Sequence, residues 1–374
     1  MMKQEIYRIL CRKILWLAVL VATAFSLYYG LTSLWQDMAI HDGEIYRGWE
    51  CNNYNRRITK EFAGPLTEET IREIWEKYGE PVNNYGYSNR YEDLVQSAGQ
   101  EGYDNYCNTF VARKFAEKIE KEDGTVSFIL PEDLSGSRYL DGSYTFGYAG
   151  GYWSYWDCYL IAFVMVSIVV IIGVSPTFSE DYAFRTADII LPTAKGRFRA
   201  WWTRTGASFL FASAYYWFMS GITFVQCYLL YGPDGLSVSC GLTYFPYFMG
   251  QDSDPIWKAL LILHLGGWFS ILALVLQIQA ISSGCKSSFG SLLWSLAAFL
   301  GPIAVIRVVL DNLPYSGLVR WLKYFGYSMP FSFAGMYLQA PPSGKQIVVT
   351  LALATVALTG VLGAKGWCRH QVKN

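Results

Sequence analysis

The chain has 374 residues with 30 basic and 30 acidic side chains, is 52% hydrophobic, and is only 16% charged. Soluble domains carry about 25% charged residues, so this chain is short of what a water-facing surface needs, and its apolar content excludes a disordered chain. The balance of charge hides a split. Residues 36–152 hold 21 acidic and 12 basic groups, and the remainder holds 9 acidic and 18 basic. No basic domain stands out for nucleic-acid binding. A polytopic membrane protein with one acidic insertion accounts for these numbers.

A helix crossing the hydrocarbon core needs about 20 mostly apolar residues. Six stretches qualify: 14–34, 156–174, 205–231, 256–281, 289–309 and 346–364. The first follows Lys3, Arg8, Arg12 and Lys13 and contains Ala22-Thr23-Ala24, which has the form of a signal-peptide cleavage site. Cleavage would leave a short apolar core, whereas the run continues through Leu34, so an uncleaved anchor is expected. Lys and Arg gather before the first span, between the second and third (Arg185, Lys195, Arg197, Arg199, Arg204), at Lys286, and at Lys365, Arg369 and Lys373. With six spans these all fall on one side, the cytoplasm by the positive-inside rule. The expected localisation is the cell membrane, multi-pass, with both termini cytoplasmic. Residues 315–340 carry Arg320, Lys323 and Pro330 in a run too charged for a span. They read as an interfacial amphipathic helix and a short membrane-dipping piece.

The fold class expected is thus an all-α polytopic membrane protein. It has six transmembrane helices, an α-rich extracellular insertion between the first and second, and a short membrane-dipping hairpin before the sixth. Its parts are residues 1–35 (cytoplasmic segment and first span), 36–152 (extracellular domain), 153–364 (five-span bundle, with a cytoplasmic segment at 175–204) and 365–374 (cytoplasmic tail).

Within the insertion, Thr67 is placed to cap a helix whose first turn holds Glu68 and Glu69 and which Gly79 and Pro81 close. Ile71, Ile74, Trp75 and Tyr78 give it one apolar face. A second helix is expected over 103–121, marked by Tyr106, Phe110, Phe115 and Ile119, with a Tyr/Asn/Gly loop at 83–90. The aromatic run 138–156 suits the headgroup layer, with a carbohydrate-binding platform as the alternative. Of eight cysteines, Cys51, Cys107 and Cys240 fall outside, which makes Cys51 with Cys107 the candidate disulfide, while the odd outer cysteine leaves a free pair equally open.

Catalytic constellations are scarce. The three histidines are dispersed and no HExxH or CxxC occurs, so metal sites of those types are unsupported. Gly284-Cys285-Lys286-Ser287 lacks the elements of a phosphate-binding P-loop, and the glycines at 147–151 open no nucleotide fold. No cofactor is expected on this chain. Polar groups inside the spans are Asp157, Gln226, His264, Gln277, Gln279 and Arg307. The glutamines suit interhelical hydrogen bonds. Asp311 follows Arg307 by four residues as its partner, and His264, Arg307 and Asp311 form the candidate intramembrane polar site. Thr355, Thr359 and Gly363 space small residues for close helix contact in the last span.

The most specific stretch follows the second span. Between Asp181 and Leu191, Phe184, Ala187, Ile190 and Leu191 fall at helical spacing opposite Arg185 and Asp188, and Pro192 ends the run. A short amphipathic helix on the cytoplasmic surface is expected, seated either in a partner's groove or on lipid. Phe178-Ser179-Glu180, Thr186, Ile189-Ile190-Leu191, Thr193 and Gly196-Arg197 occur in the order of a motif of the form SPxFSEEYxxxTxxLLLSTxxGR. Residues 61–69, 279–289 and 313–330 add three further pattern matches. On these motifs the chain resembles the permease subunits of type 2 ATP-binding-cassette (ABC) exporters, especially bacterial ones. Arg204 stands where lysine is commoner and Pro192 where serine or alanine is usual.

The resemblance implies a permease without its own nucleotide site and without enzymatic activity of its own. It would move an amphipathic or lipid-like substrate (peptide, drug or lipid) with ATP and Mg held by a separate ABC ATPase subunit. It implies a homodimer or heterodimer of permeases surrounded by membrane lipids. ATPase coupling would fall to Glu180, Arg185, Lys195, Gly196 and Arg197. The alternative is a membrane-anchored sensor or immunity protein that binds a ligand with its extracellular domain and does not transport it.

Overall fold

The six apolar runs fold as helices long enough to span a membrane: Lys13–Trp35, Gly150–Ala183, Phe198–Tyr231, Ile256–Gly284, Ser288–Asn312 and Gly344–Cys368. The structure, a computed structural model, describes residues 2–82, 102–120, 126–193, 197–243, 252–314, 316–330, 333 and 342–369, and 72% of it is helical. The chain divides into two units, one comprising Met1–Ser26, Tyr159–Thr223 and Leu261–Asn374, the other Leu27–Cys158 and Phe224–Leu260.

In the first unit the second span is the most enclosed, while the first, fifth and sixth keep most of their side chains exposed, as lipid-facing helices do. Small residues set the closest contacts. Gly173 admits Phe211 and Leu15, and Gly363 lets the sixth span meet Trp201 and the Ala280 backbone. Thr355 and Thr359 instead bond back to their own helix, to Leu351 O and Thr355 O. Gln279 accepts from Thr205 Oγ1 at 2.9 Å and donates to Ser208 Oγ at 3.1 Å, tying the third span to the fourth as its position suggests. Gln277 differs, its Oε1 buried without a partner among the described residues. The fifth span widens to a π-helical turn at Val305–Val309, just after Pro302 interrupts its hydrogen-bond ladder. A helix at Gly317–Tyr327, capped by Ser316, exposes Leu318, Trp321 and Phe325, which matches the expected amphipathic segment. Residues 331–332 and 334–341, where the membrane-dipping piece is expected, lie outside the described residues.

The second unit contains the insertion. Asp42 and Gly43 both take positive φ (48° and 84°) and turn Met38–His41 back onto Glu44–Arg47 as a tight hairpin. Tyr103–Asp104 adds a third antiparallel strand beside Met38–His41. Helices follow at Gly48–Thr59 and Glu68–Tyr78, the latter capped by Thr67 at 3.2 Å from Thr70 N, closed at Gly79, and burying Ile71, Ile74 and Tyr78 as its periodicity requires. The expected helix over 103–121 is shorter, Tyr106–Lys114. Asn105 and Asn108 fix its start in a reciprocal cap, and Glu117–Glu120 leaves the helix to pair with Val126–Ile129. The loop at 83–90 lies outside the described residues. Tyr139, Tyr144 and Phe146 do not form a headgroup belt, because they are buried in the unit's core beside Phe110 and Phe115. The segment between the third and fourth spans joins the same unit: Leu242 enters that core, Lys114 donates to Gly241 O, and Arg56 pairs with Asp234.

Candidate functional site

The stretch after the second span builds a buried polar site in the first unit. Gly150–Val174 passes through Ser175 into a second helical segment at Pro176–Ala183, with proline at a helix start where its missing N–H costs nothing. Ser282 and Ser291 donate to the Ser175 carbonyl at 2.6 and 2.7 Å, and Ser282 Oγ accepts from Phe178 N and Ser179 N, both at 3.1 Å. Two of the segments carrying the motif matches, around 178 and 282, therefore touch.

Behind this junction lies a chain of six charges. Arg204 pairs with Asp181 and, at 3.3 Å, with Glu5. Arg8 reaches Asp181 at 2.9 Å and Glu180 at 3.2 Å, and Arg12 reaches Glu180 at 2.6 Å while also donating to Gly173 O at 2.8 Å. Three acids and three bases cancel, as burial demands. Asp181 and Arg204 are each 3% exposed. Burial alone would lower the pKa of Arg8, but Asp181, Glu180 and Glu5 outweigh it and hold the value above the ordinary one. The Arg204 guanidinium lies over the rings of Phe178 (5.4 Å) and Trp367 (4.9 Å), and Phe178 stacks on Trp201 at 4.9 Å. The N-terminal helix Met2–Leu10, the second, third and sixth spans thus meet in one cluster.

The amphipathic helix expected from Asp181 to Leu191 is not continuous. Arg185 takes a left-handed conformation (φ 57°) and separates Pro176–Ala183 from a single turn at Ala187–Ile190. The break follows from the cluster: Asp181 faces inward to its arginines, and Thr186 Oγ1 donates to the same carboxylate at 3.0 Å, which draws the chain into a turn. Ala187 and Leu191 are buried as expected, but Phe184 is 72% exposed, as is Ile189 at 74%. Phe198, Arg185, Asp188, Arg197 and Arg199 are exposed as well. What projects is a mixed apolar and basic surface on a stiff base.

Of the residues proposed from the motif, Glu180 is engaged by Arg8 and Arg12, Arg185 forms the turn, and Arg197 is exposed while donating to Leu191 O at 3.3 Å. Lys195 and Gly196 lie outside the described residues. Sequence reasoning gave Asp181 no role, treated Arg8 and Arg12 only as orientation charges, and noted Arg204 as an orientation charge and a departure from the motif. The signal available in the sequence is a short charged helix, Met2–Leu10 with Glu5 and Arg8, followed by Arg12 just ahead of the first span. In the intramembrane set, Arg307 and Asp311 do pair at 3.5 Å, and Lys323 joins Asp311 at 2.7 Å. His264 sits elsewhere, among Tyr159 and Trp217, with Tyr216 donating to its carbonyl at 2.8 Å.

The candidate disulfide is not formed. Cys51 and Cys107 are free thiols in one core, where Asn55 donates to the Cys51 sulfur at 3.3 Å and Thr59 Oγ1 lies 3.5 Å from that of Cys107. Burial pushes both thiols up, Cys107 to about 12, so both stay protonated. Comparison with protein-family models, with curated proteins and with solved structures finds no match.

Proposed function

We propose that this chain is the membrane-spanning permease subunit of an ABC exporter, moving an amphipathic or lipid-like substrate with ATP hydrolysed by a separate ATPase subunit. The observation that carries the reading is the exposed turn of Phe184, Arg185 and Ile189 on a base braced by ion pairs and stacked aromatics. A lever of this kind needs both parts. An apolar and basic tip fits a groove on a soluble partner, and a stiff base passes its displacement to several spans at once. The turn lies in the cytoplasm with both termini, two permease copies, identical or related, share the pathway, and the nucleotide and its Mg stay with the partner.

The test is co-purification of the intact chain with a candidate ABC ATPase subunit, followed by ATP turnover in lipid vesicles. The expected result is a stable complex whose turnover falls at least tenfold in Ile189→Asp. Absence of a complex, turnover indifferent to Ile189→Asp and Phe184→Asp, or thiol labelling of Ile189→Cys from the outer medium would each overturn the proposal.

A further inference from the structure

The second unit holds a half-open cavity of ≈ 370 Å³, within the range of small-molecule sites, about 300–1,000 Å³. Its walls come from the outer end of the first span, the hairpin that follows, the start of the Tyr106–Lys114 helix and the start of the second span. Three carboxylates line it, Asp37, Asp104 and Asp157, against one basic side chain, Arg113. Asp104 accepts from Thr109 Oγ1 at 2.9 Å. Among the described residues no ion pair reaches Asp37 or Asp157. Burial pushes the Asp37 carboxyl up to about 6, against a smaller opposing pull from the Tyr231 hydroxyl.

A second, independent feature points the same way. Asn105 is 3% exposed and lines the same cavity. Its Oδ1 is committed to Cys107 N and Asn108 N, and its Nδ2 lacks a well-formed hydrogen bond, although the Tyr54 hydroxyl lies beside the amide. The cavity therefore sets Asp37 and Asp157 beside the Asn105 amide, with the rings of Tyr106 and Phe110 as an apolar wall.

We infer that this cavity binds an organic ammonium group that carries an adjacent hydrogen-bond acceptor and an apolar body, the chemistry of a peptide N-terminus. The ammonium faces Asp37 and Asp157 and the carbonyl faces Asn105 and Arg113. Aromatic faces add attraction for the cation. The inference rests on the cavity alone and holds whether the chain exports the ligand or only senses it.

The experiment titrates the full chain in lipid nanodiscs with phenylalanine amide and reads the heat of binding. 3-Phenylpropanamide, which has the same ring and amide but no amine, is the control. The expected result is saturable binding of the amine, at least tenfold tighter than the control, and at least tenfold weaker in Asp37→Asn and in Asp157→Asn. The two variants sit on different segments, and the comparison of the two probes on the wild-type chain needs neither to fold. Equal binding of both probes, no saturation by about 10 mM amine (weaker than about 3 kcal/mol), or wild-type affinity in folded variants would overturn it.

Discussion

Asp181→Asn is the sharpest probe of the charge cluster. In the folded chain the carboxylate lies 2.9 Å from Arg8 and against Arg204, with about 4% of its side chain exposed. Each pair at such separations is worth about 6 kcal/mol at an effective dielectric of 20. The asparagine forfeits both attractions but also relieves the carboxylate's own desolvation, several kcal/mol, and breaking one partner of a buried pair costs about 3–5 kcal/mol in net. Glu5 at 3.3 Å from Arg204 and Glu180 at 3.2 Å from Arg8 retain partial compensation, which places the loss at the lower end, about 3 kcal/mol. At about 2.1 cal/mol/K of unfolding entropy per residue, a chain of this length loses about 4 °C in Tm, read by intrinsic fluorescence on the purified chain. Glu68→Gln is the control, since its pair with Arg72 is exposed and worth less than about 0.5 kcal/mol. A second arm replaces both partners, Asp181→Leu with Arg204→Met, and recovers most of the loss, because an apolar pair of similar volume leaves no buried charge. The reasoning fails if Asp181→Asn melts with the control, or if the double variant is as unstable as Asp181→Asn.

Three further outcomes follow from other parts of the molecule. Gly267→Ala would overlap the Tyr159 hydroxyl and come within 2.5 Å of that of Tyr216, the two groups that donate to Leu263 O and His264 O, so a loss of about 2–3 kcal/mol is expected in thermal melts. Thr67→Ala removes the cap of the Glu68–Tyr78 helix and costs about 1 kcal/mol, readable as a lowered denaturation midpoint. Asp37, whose folded pKa of about 6 lies above its unfolded value near 4, favours folding most below about pH 4 and loses that contribution as pH rises through 6. Asp37→Asn is accordingly more stable than wild type at about pH 7.5 by up to about 3 kcal/mol, and the difference vanishes near pH 4; a difference that does not change with pH refutes the assignment.

The spans were legible because length and apolarity are dictated by the hydrocarbon core and need no tertiary information. The Glu68–Tyr78 helix was legible for a similar reason, since its cap, acidic first turn, apolar face and closing glycine all sit between Thr67 and Gly79. The hairpin at Asp42-Gly43 carried an equally local signal, a Asp-Gly pair between short alternating runs, and was overlooked because the surrounding region was read at helical period alone. Glu117–Glu120 could not be found that way. Its residues Glu117, Lys118 and Glu120 form helices readily, and it is a strand only because Val126–Ile129 lies beside it. The same dependence on distant neighbours hides the fate of Tyr139, Tyr144 and Phe146, which look interfacial by composition and become core once the 224–260 segment packs with them.

The charge cluster shows why a motif locates a site more easily than it ranks residues within it. In sequence, Glu180 and Asp181 are neighbours of equal charge, and the motif singles out the first. A helix rotates successive residues by about 100°, so only one of two adjacent carboxylates can point fully inward. Here it is Asp181, at 4% side-chain exposure against 28% for Glu180. The arginines that select it lie 173 and 23 residues away, beyond the reach of any local window. Once Asp181 is committed inward, Phe184, three residues on, no longer continues the buried face: the turn at Arg185 takes the chain off the helical path, and Ala187 and Leu191 bury in its place. One buried ion pair therefore decides both which carboxylate is structural and which aromatic is left projecting.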